Sequence, residues 1–237
     1  MIKAITFDLW WTILNYSQAI VERRLALLSL RLRNRGFEAD VEEVRDAHTY
    51  VQNLFGDSWE RAKRSFSPRE RVEALLNRID ISLPEEDLRD LTRELEEVAL
   101  EEPPDLVQGV EEAIRSLSKS YSLGIISDTG MTPGRVLRPL LAKAGLLRFF
   151  SSSLFSDEIG YYKPHPTIFT VALRDLAVLP EEAVHIGDNP KTDVQGAKGV
   201  GMKAILFNRS GSAETEIGQA DAVIEDYHGL REVVEGL

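Results

Sequence analysis

A lone buried strand at the start of this chain is the feature that most limits its fold. Ile2-Lys3-Ala4-Ile5-Thr6-Phe7 reads as a short apolar strand closed by Asp8, and no convincing strand follows until well past residue 100. From Ser17 to about Leu100 the apolar residues recur at helical spacing instead. A single strand beside a helical bundle leaves its backbone donors and acceptors unpaired, so this one must join a sheet supplied by later sequence. After Pro103-Pro104 that sheet becomes legible. Apolar runs at 121–126, 153–155, 183–186, 203–207 and 222–224 alternate with helical stretches at 110–117, 133–144, 166–176 and 193–200. That is the pattern of a parallel sheet with crossover helices. The design expected is an α/β core of residues 1–15 and 104–237, interrupted by a helical insertion at 16–103.

Inside the insertion, Ile20, Leu25, Leu28 and Leu32 suit one face of a first helix that Gly36 can end. Asp40-Val41-Glu42-Glu43 and Ser67-Pro68-Arg69-Glu70 offer capping boxes for a second and third helix, the latter with proline at its first position. A fourth, acidic helix is expected from Pro84 towards Leu100, and the two prolines then end the helical block. The stretch 208–218, rich in Gly, Ser and Glu, reads as a surface loop.

Composition narrows the class of function. The 237 residues are 43% hydrophobic, enough for a sizeable core, and contain no cysteine, so disulfides, a thiolate nucleophile and cysteine metal sites are excluded. No apolar run approaches the roughly 18 residues of a membrane span, and the first residues enter a strand directly, so a cytoplasmic protein without a membrane partner is expected. A formal net charge of −11 argues against nucleic acid as a partner. Arg23, Arg24, Arg31, Arg33 and Arg35 form a local basic patch, read more simply as solvated helix-face charge.

Four polar sites stand at or soon after the ends of apolar runs: Asp8, Ser127, Lys163, and the pair Asp188 and Asp193. A carboxylate at the carboxyl end of a buried strand is where an α/β sheet places its chemistry. An aspartate held against a divalent cation is a competent nucleophile for phosphoryl transfer, because positive charge offsets that of the incoming phosphate. Asp8 fits that role, with Asp188 and Asp193 adding the hard oxygen ligands magnesium prefers. Lys163 would pair with the aspartates and the phosphoryl group, and Ser127 would hydrogen-bond its oxygens. Singly, each has a plainer account: a strand-end aspartate often caps a turn, Lys163 alone is an ordinary surface lysine, and Asp193 can cap the helix carrying Gly196-Ala197-Lys198.

In that order and spacing, the four sites resemble the motifs of the haloacid dehalogenase-like hydrolase superfamily. The resemblance covers residues 1–15 and 104–237. It implies a Rossmann-like, doubly wound core with a helical cap at 16–103 that closes over the substrate and selects it. It also implies a magnesium-dependent phosphatase acting on a small phosphorylated molecule. Asp8, Ser127 and Lys163 would be catalytic, and Trp10, Thr12, Ser127, Asp128 and Lys163 would line the substrate. Asp8, the Trp10 carbonyl, Asp188 and Asp193 would hold Mg2+. The oligomeric state and the substrate itself are not encoded in any of these motifs.

Trp10 departs from the phosphatase pattern, which has a second aspartate two residues after the nucleophile to protonate the leaving oxygen. Its backbone carbonyl survives the replacement; the acid does not. Acid–base help is typically worth about 10²–10⁴-fold, so good leaving groups such as aryl or acyl phosphates are expected. Trp10 also fits a 2-haloacid dehalogenase, in which Asp8 would attack carbon and halide would leave unprotonated. Asp188 and Phe169 fit that branch badly, since it works without metal, has a small polar residue at the former position and carries tyrosine at the latter. A phosphonatase would need a cap lysine, and only Lys63 is offered. A non-catalytic ligand-binding protein is the remaining alternative.

Other aromatic and histidine residues read as structural. At least one of Trp10 and Trp11 is expected to wall the site from water, and Trp59 to sit in the cap core or at a cap-to-core contact. His48 follows an amphipathic helix pattern, His165 lies in a turn between prolines, and His185, inside an apolar strand, is expected to be buried and hydrogen-bonded.

Overall fold

Backbone pairing places the first strand in the interior of a six-stranded parallel sheet of order β3-β2-β1-β4-β5-β6. The strands are β1 (Ala4–Phe7), β2 (Ser122–Ser127), β3 (Phe150–Phe155), β4 (Ala183–Gly187), β5 (Lys203–Phe207) and β6 (Ala222–Ile224). All five pairings are parallel. This is a Rossmann-like α/β arrangement. The computed structural model describes residues 1–62, 64–209 and 219–237, and the side chains of these except 57–62. Lys63, the Trp59 side chain and residues 210–218 of the expected loop lie outside the described residues.

The order reverses at β1, whose Phe7 pairs with Ile125 of β2 on one side and Ile186 of β4 on the other. β2 runs two residues past that level, to Ser127, and β4 one, to Gly187, so both neighbours reach beyond the end of β1. That carboxyl-end crevice is where a doubly wound sheet receives its ligand. β1 is buried throughout, as a strand covered on both faces must be. Crossover helices include α5 (Val110–Leu117), α6 (Gly134–Lys143), α8 (Pro166–Asp175) and α9 (Gln195–Gly199). On one face Ile168, Phe169, Ala172 and Leu173 of α8 pack with Ala4, Ile126, Leu154 and Leu206. Each such Ile, Leu or Phe side chain, fully buried, contributes about 1.5–3 kcal/mol. Two short elements, α7 (Ser156–Ile159) and the first half of β3, were not legible in the apolar pattern.

The chain forms two compact units: one of 1–16, 105–128 and 141–237, the other of 17–104 and 129–140. The second contains α1 (Gln18–Arg33), α2 (Val41–Ala62), α3 (Pro68–Arg78) and α4 (Glu85–Glu101). Its core gathers Leu25, Leu28, Leu32, Val44, Val51, Val72, Leu76, Leu91 and Leu95. α3 has the capping box read from its sequence: the Ser67 hydroxyl accepts from Glu70 N–H and the Glu70 carboxylate accepts from Ser67 N–H. Gly36, at φ +84°, follows the end of α1.

Residues 129–140, assigned to the α/β part from sequence, pack instead with the helices. Arg24 explains part of this, donating to the carbonyls of Leu95 and Met131 and to the Thr132 hydroxyl. Arg135 pairs with Glu96 and Glu97. The basic patch of α1 is less free than its sequence suggested: Arg31 meets Glu94 at 2.6 Å and Arg35 meets Asp87 at 2.8 Å. No helix among the described residues is long and apolar enough to cross a membrane.

Candidate active site

Asp8 leaves β1 with its N–H bonded to the Ile186 carbonyl at 2.8 Å, which pins the start of the following loop to β4. From the next strand come Ser127 and Asp128, after β4 comes Asp188, and the turn beyond it carries Asp193. Lys163, on the segment before α8, reaches into this group. Its Nζ donates to Asp8 Oδ1 at 2.5 Å, to Asp193 Oδ1 at 2.6 Å and to the Ile126 carbonyl at 3.0 Å. Its backbone N–H donates to Asp128 Oδ1 at 2.9 Å. Far from being a surface lysine, Lys163 is only 2% exposed.

One carboxylate oxygen from each of Asp8, Asp188 and Asp193 lies within 4.8 Å of the others. Asp8 and Asp193 hold the buried ammonium directly, and Asp128 lies against the backbone of the same lysine. Burial raises Asp8 to about 6, with Lys163 opposing the rise and Asp193 adding to it. Burial likewise raises Asp128 to about 7, and raises Asp188 to about 7 with help from the charges of Asp8 and Asp193. For Asp193 burial is outweighed by Lys163 and His185, so its carboxyl is held below the usual range. Burial opposes the charge on Lys163, yet Asp193, Asp8 and Asp128 together hold its ammonium above the ordinary lysine range. Negative charge in excess of the one cation is the condition a divalent metal relieves, and an all-oxygen donor set suits magnesium.

The three acids are not equivalent. Both oxygens of Asp193 already accept protein donors, Oδ1 from Lys163, with His185 Nε2 3.2 Å away, and Oδ2 from Asn189 N–H at 2.9 Å. Helix capping at this turn falls to Asn189, whose side chain accepts from the N–H groups of Lys191 and Thr192. Asp193 is therefore not a cap: it faces inward, in space that exists because residue 187 is glycine. A Cβ there would stand 2.3 Å from the Asp193 carboxyl carbon. Asp188 is the more open of the pair after β4.

The loop after Asp8 is unusual. Trp10 is half-buried and pairs its backbone with Leu14, whereas Trp11 has φ +62°, a left-handed conformation rare for a bulky residue. Trp11 is 48% exposed, and its ring stacks on Tyr16 with centroids 5.7 Å apart. Thr12 is fully buried, and its Oγ1 has no hydrogen-bond partner among the described residues. The Ser127 hydroxyl, also buried, donates to the Asp128 carbonyl at 3.2 Å.

Sequence reading missed Tyr227, whose buried hydroxyl donates to the Thr12 carbonyl at 2.6 Å and so braces the loop from the far end of the chain. Nothing in its local sequence signals that contact. His185 is buried and bonded to Thr6 and Asp193, and burial pushes its imidazole below the usual range. His165 caps α8 by accepting from Thr167 N–H. His48 lies in the helical unit, its ring 3.3 Å from the Gln52 amide.

Residues 2–201 match the haloacid dehalogenase-like hydrolase family. A glyceraldehyde 3-phosphate phosphatase of Pyrococcus furiosus is 38% identical over 133 residues, 54% of each chain, so the match spans about half of that relative. A protein of the same name from Methanocaldococcus jannaschii is 28% identical over 240 residues, covering 100% of this chain and 99% of its own. Among solved structures, a 2-haloacid dehalogenase from Pseudomonas syringae superposes with a TM-score of 0.75 at 28% identity, over 100% of this chain and 99% of that one. With the family model matching along most of its length, the chain belongs to the haloacid dehalogenase-like hydrolases.

Proposed function

We propose that this enzyme is a magnesium-dependent phosphatase for a small phosphorylated metabolite, working through an aspartyl-phosphate on Asp8. The observation that carries the reading is the crowding of Asp8, Asp188 and Asp193 within 4.8 Å of one another, with a buried lysine on Asp8 and Asp193. Asp8 and Asp188, with the Trp10 carbonyl, are the residues to hold the metal, while Asp193 serves mainly to hold Lys163. Bound magnesium would supply the positive charge that lets an anionic phosphoryl group approach Asp8.

In the first step an Asp8 carboxylate oxygen bonds to phosphorus as the bond to the leaving oxygen breaks. Lys163 keeps Asp8 oriented and ionised, and Ser127, Asp128 and the unpartnered Thr12 hydroxyl face the substrate. With Trp10 in place of an acid, the leaving oxygen departs as an anion and takes its proton from water. In the second step water bonds to phosphorus and the acyl phosphate bond breaks. Phosphate and a proton are released, and the Asp8 carboxylate is restored. The helical unit of 17–104 and 129–140 is proposed as the cap that selects the substrate.

The names of the two archaeal relatives support phosphate-ester hydrolysis, and the dehalogenase-named neighbour together with Trp10 supports the alternative, 2-haloacid dehalogenation. Asp188 weighs against the latter, since an unneutralised carboxylate there would repel the charge of the attacking Asp8. The deciding experiment offers the purified protein an aryl phosphate, an acyl phosphate and a 2-haloacid, with magnesium or with chelator, beside Asp8→Asn. Magnesium-dependent phosphate release lost in the variant is the expected result. Metal-independent halide release would establish the dehalogenase instead.

A further inference from the structure

His185 is a polar residue in the middle of β4, with Val184 and Ile186 on either side, and it is 1% exposed. A run that is otherwise apolar has no packing need for an imidazole here. Its two nitrogens have different partners. Nδ1 lies 2.8 Å from the Thr6 hydroxyl oxygen on β1, and Nε2 lies 3.2 Å from Asp193 Oδ1.

We propose that His185 is a positioning residue for the active site: Thr6 holds its ring in the tautomer protonated on Nε2, and that N–H anchors the Asp193 oxygen that holds Lys163 against Asp8. The chain of contacts is continuous, from Thr6 through His185, Asp193 and Lys163 to the nucleophile. The opposite tautomer would set a nitrogen lone pair against a carboxylate oxygen, so Asp193 demands a donor at Nε2. Thr6, able to give its hydroxyl proton to Nδ1, meets the same demand from the other side. Asp193 Oδ1 then receives two donors and Oδ2 a third from Asn189, which fixes the plane of its carboxylate.

The surroundings are built to hold this ring. Phe169 packs its edge on the imidazole, with centroids 5.3 Å apart and planes at 88°. Phe169 in turn has its place because residue 196 is glycine, where a Cβ would come within 2.4 Å of the phenyl ring. Gly187 and Gly196 thus make room, respectively, for the carboxylate that His185 anchors and the ring that backs it. His185 touches neither phosphorus nor leaving group in the proposed reaction; it acts through Asp193.

The activity readout rests on the phosphatase reading, and a second readout does not. His185→Leu fills the volume without a donor, His185→Gln offers an amide N–H where Nε2 stood, and Thr6→Val removes the partner of Nδ1. In magnesium assays His185→Leu is expected to lower kcat about 10–100-fold, the usual cost of losing an orienting partner, with KM for the substrate near wild type. His185→Gln is expected to recover most of the loss, and Thr6→Val to fall between. Magnesium titration by calorimetry should show weaker binding in the leucine variant. Independently of turnover, nitrogen-edited NMR of the metal-free protein should find the His185 proton on Nε2. A proton on Nδ1, a folded His185→Leu enzyme with wild-type kcat, or a His185→Gln enzyme as impaired as the leucine variant would each overturn the proposal. If the wild type releases no phosphate, the phosphatase reading fails by itself, and the NMR tautomer still decides the role of His185.

Discussion

Nζ of Lys163 lies 2.5 Å from Oδ1 of Asp8, with the two side chains 2% and 8% exposed. A buried ammonium among carboxylates is expensive to leave half-matched, because removing one partner strands the charge of the others. Lys163→Met should therefore destabilise the metal-free protein by about 3–5 kcal/mol and abolish turnover. Chemical denaturation with chelator and with magnesium measures this. Magnesium should return part of the lost stability, since it supplies charge at the same place. A variant as stable as wild type in chelator would mean that the pair does not carry the charge balance of the site.

The same excess of negative charge has a pH signature. Burial holds Asp188 near 7 and Asp8 near 6 in the folded chain, above their ordinary range. Between about pH 4 and 7 the folded state keeps protons that the unfolded chain has released, so these groups subtract stability as pH rises through that window. Asp193 is shifted downwards, so its contribution is present above the ordinary carboxylate range and is lost only in more acid solution. Asp188→Asn should flatten the decline in unfolding free energy between pH 4 and 7 in chelator, and magnesium should flatten it in the wild type. Identical pH slopes for the variant and wild type would count against the crowded site.

Replacing Trp10 by aspartate restores an acid two residues after the nucleophile. Turnover of alkyl phosphates should rise, with the 10²–10⁴-fold range of acid catalysis as an upper bound, while aryl phosphates change little. The check is the dependence of kcat/KM on leaving-group pKa, expected to be steep in the wild type and shallower in the variant. Equal slopes in a well-folded variant would remove the leaving-group argument.

Gly187→Ala tests the space in which Asp193 sits. The added methyl would stand 2.3 Å from the Asp193 carboxyl carbon, so the acid or the strand end must move. Overpacking of this kind costs about 1–3 kcal/mol, and the displaced Asp193 should release Lys163. Loss of activity with modest loss of thermal stability is the expected pair of results. Wild-type turnover would show that Asp193 need not stay where it is.

Much of the candidate site was legible because its residues stand at or soon after the ends of apolar runs, where a change of apolar period marks a position in the fold before any contact is known. Asp8, Ser127, Lys163, Asp188 and Asp193 stand out this way, and the fold brings Asp8, Asp188 and Asp193 together with Lys163 on two of them. Tyr227 was not legible, since an aromatic residue near the chain's end has no local mark that its hydroxyl braces Thr12. Nor was the grouping of 129–140 with the helices, which depends on partners such as Arg24 and Glu96 far away in the chain.

Local sequence by itself determined the kinds of element and their order: a strand with no near partner, helices with a cap at Ser67 and a stop at Gly36, then alternating strands and helices that require a parallel sheet. Periodicity and capping are properties of neighbours in the chain, so they can be read from it. Tertiary structure alone decided what each polar residue at those strand ends does. Lys163 and Asp193 read singly as a surface lysine and a helix cap, and only burial in one crevice makes them partners of Asp8. His185 read as a satisfied core residue, and only the meeting of β1 with β4 gives its two nitrogens different tasks. Charge balance, desolvation and tautomer depend on distances between residues far apart in the chain, and those distances exist only in the folded state.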